Sequence, residues 1–369
     1  MPYIPQEILD KIIGYATADE PEVGLKFSNF ASFVSHNFHQ IILPYKFRSL
    51  TFRFDHSGFK RKNTRSGTTT PQPNPIPSFC QAINAGDAHA LSLVPLVQEL
   101  SLLYWTGRDI FGNLRTPEPF ENFINGILSF RNLTKLTMKK CFTTPVIMEQ
   151  LGKLVQLRSL HTWYCHDLYK EYGDTSSRLE AYGALSNLQF LHMLDCQKDG
   201  TQFKRQLACI PMKILRILKS SDFEVIKAFL KTDPPVQLKE LWLTCFYWGD
   251  HSMLWNYLSR VTSLTHLSLP YFHSNPSDVP PSFIFSIPEL QYLHIHIALA
   301  PRFADQPMKE MEIETKSKPG QLMVEVRQHW QGTVFPHVEH LKTNRPYDEL
   351  DEIPIEFWRE FLLNVSKVR

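Results

Sequence analysis

The densest run of reactive side-chain types in this 369-residue sequence is His161-Thr162-Trp163-Tyr164-Cys165-His166-Asp167, with a thiol, two imidazoles and a carboxylate inside seven positions. A thiol beside an imidazole is the composition of a nucleophile and its base. Cys165, however, closes an apolar repeat and should be buried, whereas His161 alternates with the buried positions of the same strand. Thiol and imidazole then point to opposite faces. A second pair, His294-x-His296, places two imidazoles on one strand face, a geometry a metal could use, but no Cys, Asp or Glu close in sequence completes the ligand set. No phosphate-binding glycine loop, dinucleotide turn, nucleophile elbow or H-E-x-x-H helix occurs anywhere in the chain. The expectation is a chain without catalytic residues, metal or cofactor.

These residues sit on a repeat. Leu133-x-x-Leu136-x-Met138-x-x-Cys141, Leu157-x-x-Leu160-x-Thr162-x-x-Cys165 and Leu188-x-x-Leu191-x-Met193-x-x-Cys196 share one spacing. Met212-x-x-Leu215-x-Ile217, Leu238-x-x-Leu241-x-Leu243, Leu264-x-x-Leu267-x-Leu269 and Leu290-x-x-Leu293-x-Ile295 continue it. Weaker matches appear at Phe47-x-x-Leu50-x-Phe52, Val97-x-x-Leu100-x-Leu102 and Val338-x-x-Leu341-x-Thr343. Two apolar residues separated by one lie on the same face of a short strand, and the third, three residues earlier, packs as the chain enters it. One such strand cannot bury that face alone, so successive strands must stack into a parallel sheet with return segments behind it. The pattern resembles a leucine-rich repeat, closest to the cysteine-containing variety.

The fold class expected is therefore α/β: a small N-terminal helical unit (1–46), then a curved leucine-rich-repeat solenoid (47–345) with a parallel sheet on its concave face and helices and turns on the convex face. Helical spacing marks Glu118 to Phe130, Pro145 to Leu154 and Phe223 to Leu230 as return segments. Two insertions are expected to be mobile: 56–78, rich in Pro, Ser and Thr, and 301–335, which includes a Glu/Lys-rich run. The final segment, 346–369, reads as a capping helix carrying Ile355, Phe357, Trp358, Phe361, Leu362 and Val365.

Strand positions that alternate with the buried leucines face outward. In the unit built on Leu215 these would be Ile214, Arg216 and Leu218. Six of the 27 outward positions so read are histidine, where 15 in 369 would give about one. His161, Trp163, Phe190, His192, Arg216, Trp242, Tyr292, His294 and His296 are the residues expected to form a partner-binding concave face. The alternative is a strip covered by loops or carrying such residues without function. With Lys135, Lys139, Arg216 and Lys342 against only Glu99 and Glu240, the strip is expected to be mildly basic, to grow more so as histidines protonate below pH 7, and to favour an acidic or phosphorylated target.

Hydrophobic residues at 43% and charged residues at 21% exclude a mainly disordered chain, a coiled coil and a collagen-like fibre. A formal charge of +2 gives no electrostatic footprint for nucleic acid. Six cysteines without a C-x-x-C pair read as reduced thiols. The opening residues lack the basic and apolar regions of a secretory signal, and no apolar run is long enough to span a bilayer, so a cytoplasmic and/or nuclear protein is expected.

Ahead of the repeats, Ile4, Ile8 and Ile12 recur at helical spacing behind Pro5, and a second apolar-periodic run passes through Val34 and Phe38. Ile4-Pro5-Gln6-Glu7-Ile8 looks like the opening of the F-box motif, and Phe33-Val34-Ser35-His36-Asn37-Phe38 resembles its second-helix signature. Tyr45-Lys46-Phe47-Arg48-Ser49-Leu50-Thr51-Phe52 resembles the sequence that joins such boxes to repeats in fungal F-box proteins. The resemblance covers about residues 2–52. It implies a substrate receptor of an SCF ubiquitin ligase, with the box binding the Skp adaptor and its cullin complex and the repeats binding a target protein. Ile4, Pro5, Glu7, Ile8, Ile12, Val34 and Phe38 would be the adaptor-binding residues. The alternatives are a helical cap without adaptor affinity, and a repeat scaffold that binds partners without ubiquitination.

Overall fold

The repeat dictates one short strand per unit. The computed structural model describes residues 43–53, 75–104, 126–143, 145–167, 185–194, 213–221, 223–244, 252–270, 286–297, 299–314, 330, 333 and 335–344. The seven adaptor-binding candidates and the expected capping helix lie outside them. The chain divides into two units, the first running to Cys141 and including Leu154–Leu157, the second holding Phe142–Lys153 and Arg158 onward.

In the first unit, β1 (Ser49–Arg53), β2 (Glu99–Leu103) and β3 (Lys135–Lys139) pair in parallel. Leu50, Leu100 and Leu136 form one cross-strand row, and Phe52, Leu102 and Met138 another. Register is pinned one residue before each strand: the Arg48 carbonyl accepts from the N–H groups of both Gln98 and Glu99, and the Gln98 carbonyl from Thr134 and Lys135. Leu100, Leu102, Leu133, Leu136, Met138 and Cys141 are all buried, and the Cys141 thiol donates to the Leu102 carbonyl at 3.2 Å. The helix Pro75–Asn84 packs Phe79 edge-on against Phe52, and the next, Ala88–Leu93, is capped by Asp87, whose carboxylate accepts from the Ala90 N–H at 2.7 Å. The first expected insertion is thus too long: Pro75 to Ser78 already belong to a helix begun by a proline, and only 56–74 fall outside the described residues. Of the helix expected over Glu118 to Phe130, the described end is a 3-10 turn, Ile127–Ser129.

The second unit contains β4 (Phe142–Thr143) paired with β6 (His166–Asp167). Its main sheet is built from β5 (Ser159–Trp163), β7 (Phe190–Leu194), β8 (Ile217–Ser220), β9 (Glu240–Leu243), β10 (His266–Leu269), β11 (Tyr292–His296), β12 (Glu310–Glu314) and β13 (His340–Asn344), paired in that order, all parallel. One row crosses it: Leu160, Leu191, Leu218, Leu241, Leu267, Leu293, Met311, Leu341. The first seven are buried.

Two expectations fail in this sheet. The unit built on Leu215 is in another phase, with Leu215 taking the position where the chain enters the strand, Leu218 the central row and Ser220 the third slot. Leu215 and Leu218 are three apart, so the apolar pattern fits both phases. Backbone pairing selects the second, because the Gln189 carbonyl accepts from Arg216 and Ile217. The segment 301–335, expected to be mobile, contains strand β12 between β11 and β13. Met308-x-x-Met311-x-Ile313 is a repeat with methionine in place of leucine, and Met308, Met311, Ile313, Phe303, Trp330 and Phe335 are all buried. The Trp330 indole donates to the Ile297 carbonyl at 2.9 Å, and the buried Gln306 amide oxygen accepts from Ile287 N–H at 2.7 Å.

Behind the sheet, the helix Phe223–Leu230 matches its expected bounds and buries Val225, Ile226, Phe229 and Leu230. Pro145–Leu151 stops three residues short of expectation. Ser252–Leu258, not singled out from the sequence, buries Leu254, Trp255, Tyr257 and Leu258 and sets Tyr257 5.3 Å from the Phe229 ring. Among the described residues no helix is long and apolar enough to cross a membrane. One strand per repeat, a shared parallel register and a leucine core are a leucine-rich-repeat fold.

Candidate functional site

Alternation along each strand sends every second side chain to the outer face of the second unit's sheet, and the register sets which of them become neighbours. One row contains Ser159, Phe190, Ile217, Glu240, His266, Tyr292, Glu310 and His340. The next contains His161, His192, Lys219, Trp242, Ser268, His294, Glu312 and Lys342. Eight of the nine expected concave-face residues are on this surface. Arg216 is not: the shift of β8 leaves it exposed one residue before the strand, and Ile217 and Lys219 take the outward positions.

At the β5–β7 end, His161, Trp163, Phe190 and His192 form a ring cluster. His161 stacks on Phe190 with centroids 4.6 Å apart, and His192 meets both His161 (5.6 Å) and Trp163 (5.8 Å) edge to face. The His161 Nε2 lies 3.0 Å from the Ser159 hydroxyl. Burial among these rings, and secondly the Lys219 ammonium, hold the His192 pKa below the usual imidazole value. Cys165 is buried with its thiol directed to the Trp163 carbonyl.

A second cluster crosses β8 to β11. The Lys219 ammonium lies 4.2 Å from the Trp242 ring centroid and 3.5 Å from Glu240, whose carboxylate also accepts from the Trp242 indole at 3.1 Å. Trp242 stacks on Tyr292 (5.6 Å, 25°), with His266 5.7 Å from Tyr292. Trp242 and Tyr292 lie two strands apart. They meet because, in the row that contains Trp242, the strand between them presents the small, buried Ser268. The Tyr292 hydroxyl donates to Glu312 at 2.7 Å, and burial together with that bond raises the phenol pKa far above its ordinary value, so it remains a donor.

Strand β12 changes the electrostatics. Glu310, Glu312 and Glu314 were not among the outward residues expected, because the strand itself was not. On the second unit the described outward positions carry four carboxylates, Glu240, Glu310, Glu312 and Glu314, against the ammonium groups of Lys219 and Lys342. The expectation of a basic strip is corrected for this unit: its face is acidic at neutral pH. Hydrogen bonding from Tyr292 and Lys342 holds Glu312 below its ordinary pKa against the opposing effect of burial. The same strand supplies carboxylates beside the histidine pair: Glu314 is the register partner of the buried His296 and lies 3.4 Å from His294 Nε2, while His294 Nδ1 is 3.0 Å from the Ser268 hydroxyl. Even so, no group of three or more His, Cys, Asp or Glu suited to a metal occurs among the described residues.

No protein-family model matches this sequence, and no curated protein matches it. Among solved structures the chain is similar to an internalin from Listeria monocytogenes, with 12% identity and a TM-score of 0.26 over 74% of this chain and 98% of that one. The leucine-rich-repeat assignment rests on the strand register and the repeating core.

Proposed function

We propose that this chain is a non-catalytic protein-binding receptor that holds a partner on the outward face of the repeat sheet. One observation carries the reading: two preformed aromatic clusters, His161–Phe190–His192–Trp163 and Trp242–Tyr292–His266, stand on a sheet face whose core is already filled from the other side. Large rings already packed against one another lose little conformational freedom on binding, and Trp and Tyr dominate interface energetics. Within this proposal, the F-box-like segment makes the chain the substrate receptor of an SCF ubiquitin ligase. It would bind a Skp-type adaptor and its cullin complex through Ile4, Pro5, Glu7, Ile8, Ile12, Val34 and Phe38, in the cytoplasm and/or nucleus. A repeat scaffold with no ligase coupling is the second reading, favoured by the same face without the box.

Affinity purification of the full chain tests both parts. Pro5→Ala/Ile8→Ala should remove adaptor and cullin while retaining the target, and Phe190→Ala/Trp242→Ala should remove the target while retaining the adaptor. Absence of adaptor from the wild-type complex, with a target still captured, selects the scaffold. A target that survives Phe190→Ala/Trp242→Ala removes the proposed face.

A further inference from the structure

The charge pattern of the face, together with the way the chain's own lysines use it, narrows the partner chemistry. We propose that strands β9 to β12 bind a basic segment of the partner, seating a lysine or arginine beside Glu310 with its alkyl stem against the Trp242–Tyr292 pair. This rests on the protein-binding reading above.

Three observations carry the inference. The chain already places two ammonium groups on this surface. Lys219 is held between the Trp242 ring at 4.2 Å and Glu240 at 3.5 Å, and Lys342 lies 3.2 Å from Glu312. An aromatic face joined to a carboxylate is thus the arrangement in which the protein holds its own Lys219, while Lys342 is held by a carboxylate of the same surface. Secondly, carboxylates outnumber cations on the outward positions, and the surplus is concentrated on β12. Thirdly, Glu310 is exposed and makes no ion pair among the described residues, although it lies in register between Tyr292 and His340. It is a charge facing solvent next to a fixed ring pair. A lysine or arginine laid there would bury its stem along the rings and keep its head at the carboxylate, as long basic side chains do on amphipathic surfaces. Four neighbouring strands span roughly 14 Å, so a bound segment of about four or five extended residues covers the site. An acidic or phosphorylated segment would face the unpaired Glu310 and is disfavoured here.

The test uses the full chain and three fluorescein-labelled nonapeptides at about 0.1 M salt: one alternating Lys/Arg with Leu, one alternating Glu/Asp with Leu, and one alternating Ser/Gln with Leu. The basic probe should bind at least tenfold more tightly than the acidic one. Glu310→Gln should weaken it at least threefold, and Glu310→Gln/Glu312→Gln further. Glu149→Gln, which removes an equal charge from the helix Pro145–Leu151, should leave it unchanged. Thermal melting of each variant confirms the fold, and Glu310, being exposed, is the substitution least able to disturb it. Equal or tighter binding of the acidic probe overturns the inference, as does an identical loss in Glu310→Gln and Glu149→Gln. If the acidic or neutral probe binds and is lost in Trp242→Ala, the protein-binding face stands and only its basic preference falls. No binding of any probe at about 100 μM also overturns the preference, and target capture by wild type and Phe190→Ala/Trp242→Ala then decides the face independently.

Discussion

Protonation of His192 is opposed by its surroundings. It is packed among His161, Trp163 and Phe190, with Lys219 opposite on the next strand. A folded-state pKa below the unfolded value of about 6.5 means that the neutral ring's contribution to stability is complete above that pH and is lost as pH falls below it. Thermal unfolding at pH 7.5 and 5.5 should therefore show a drop in Tm that is smaller in His192→Gln, even though the variant starts less stable. An equal drop would assign the pH dependence elsewhere. It also follows that His192 resists gaining charge at mildly acidic pH, contrary to the expectation that it adds to a strip growing more basic. A second residue-scale prediction concerns the backbone. Tyr104, Lys140 and Tyr164 each directly follow a strand with positive φ, at 60°, 53° and 55°, a left-handed turn without glycine. Lys140 is exposed and offers only a weak cation–π contact to Tyr104 at 5.4 Å, so Lys140→Gly should stabilise the chain by up to about 1 kcal/mol in chemical denaturation.

At the scale of elements, the sequence was most legible where leucine filled both strand slots. Leu238–Leu241–Leu243, Leu264–Leu267–Leu269 and Leu290–Leu293–Ile295 became strands in the expected phase because the residues three positions beyond their central leucines are Thr244, Pro270 and His296, none of which offers a competing apolar phase. The phase of β8 was ambiguous for the opposite reason, with serine in the slot that would have decided it. Strand β12 was hidden by its flanking glutamates: Glu-Met-Glu-Ile-Glu reads as a charged run, yet its period of two sends Met311 and Ile313 inward and the carboxylates outward. The candidate site inherited both errors, losing Arg216 and gaining Lys219 and three glutamates. Ring–ring contacts between β9 and β11 were not legible at all, because they depend on the small Ser268 between them. The burial of β12 has a direct consequence. Met311→Ala should cost about 2–5 kcal/mol of stability, whereas the neighbouring Glu310→Ala should cost less than about 0.5 kcal/mol. A mobile insertion would give small effects for both.

At the scale of the whole molecule, each strand of the second unit buries its leucines only against its neighbours, so stability is a sum of repeat and interface contributions. Register carbonyls repeat that dependence in the backbone: Lys239 O serves Thr265 and His266, Thr265 O serves Gln291 and Tyr292, and Gln291 O serves Lys309 and Glu310. Loss of one repeat therefore strips hydrogen-bond acceptors and apolar cover from the next. Leu241, with no exposed surface, lies in the middle of this series. Leu241→Ala should cost about 2–5 kcal/mol, and the loss should spread along the sheet. Hydrogen–deuterium exchange should rise first in β8, β9 and β10, and by smaller factors in β11 and β12, while the amides of β1 and β2 in the first unit keep their protection. Faster exchange confined to β9 would mean that each repeat is stable alone, and uniform acceleration through both units would mean that the chain unfolds as one body. The graded outcome is the one expected of nearest-neighbour coupling, and it would make the ring clusters on β5–β7 and β9–β11 separately tunable: a core substitution under one should loosen partner contacts there several-fold before it affects the other.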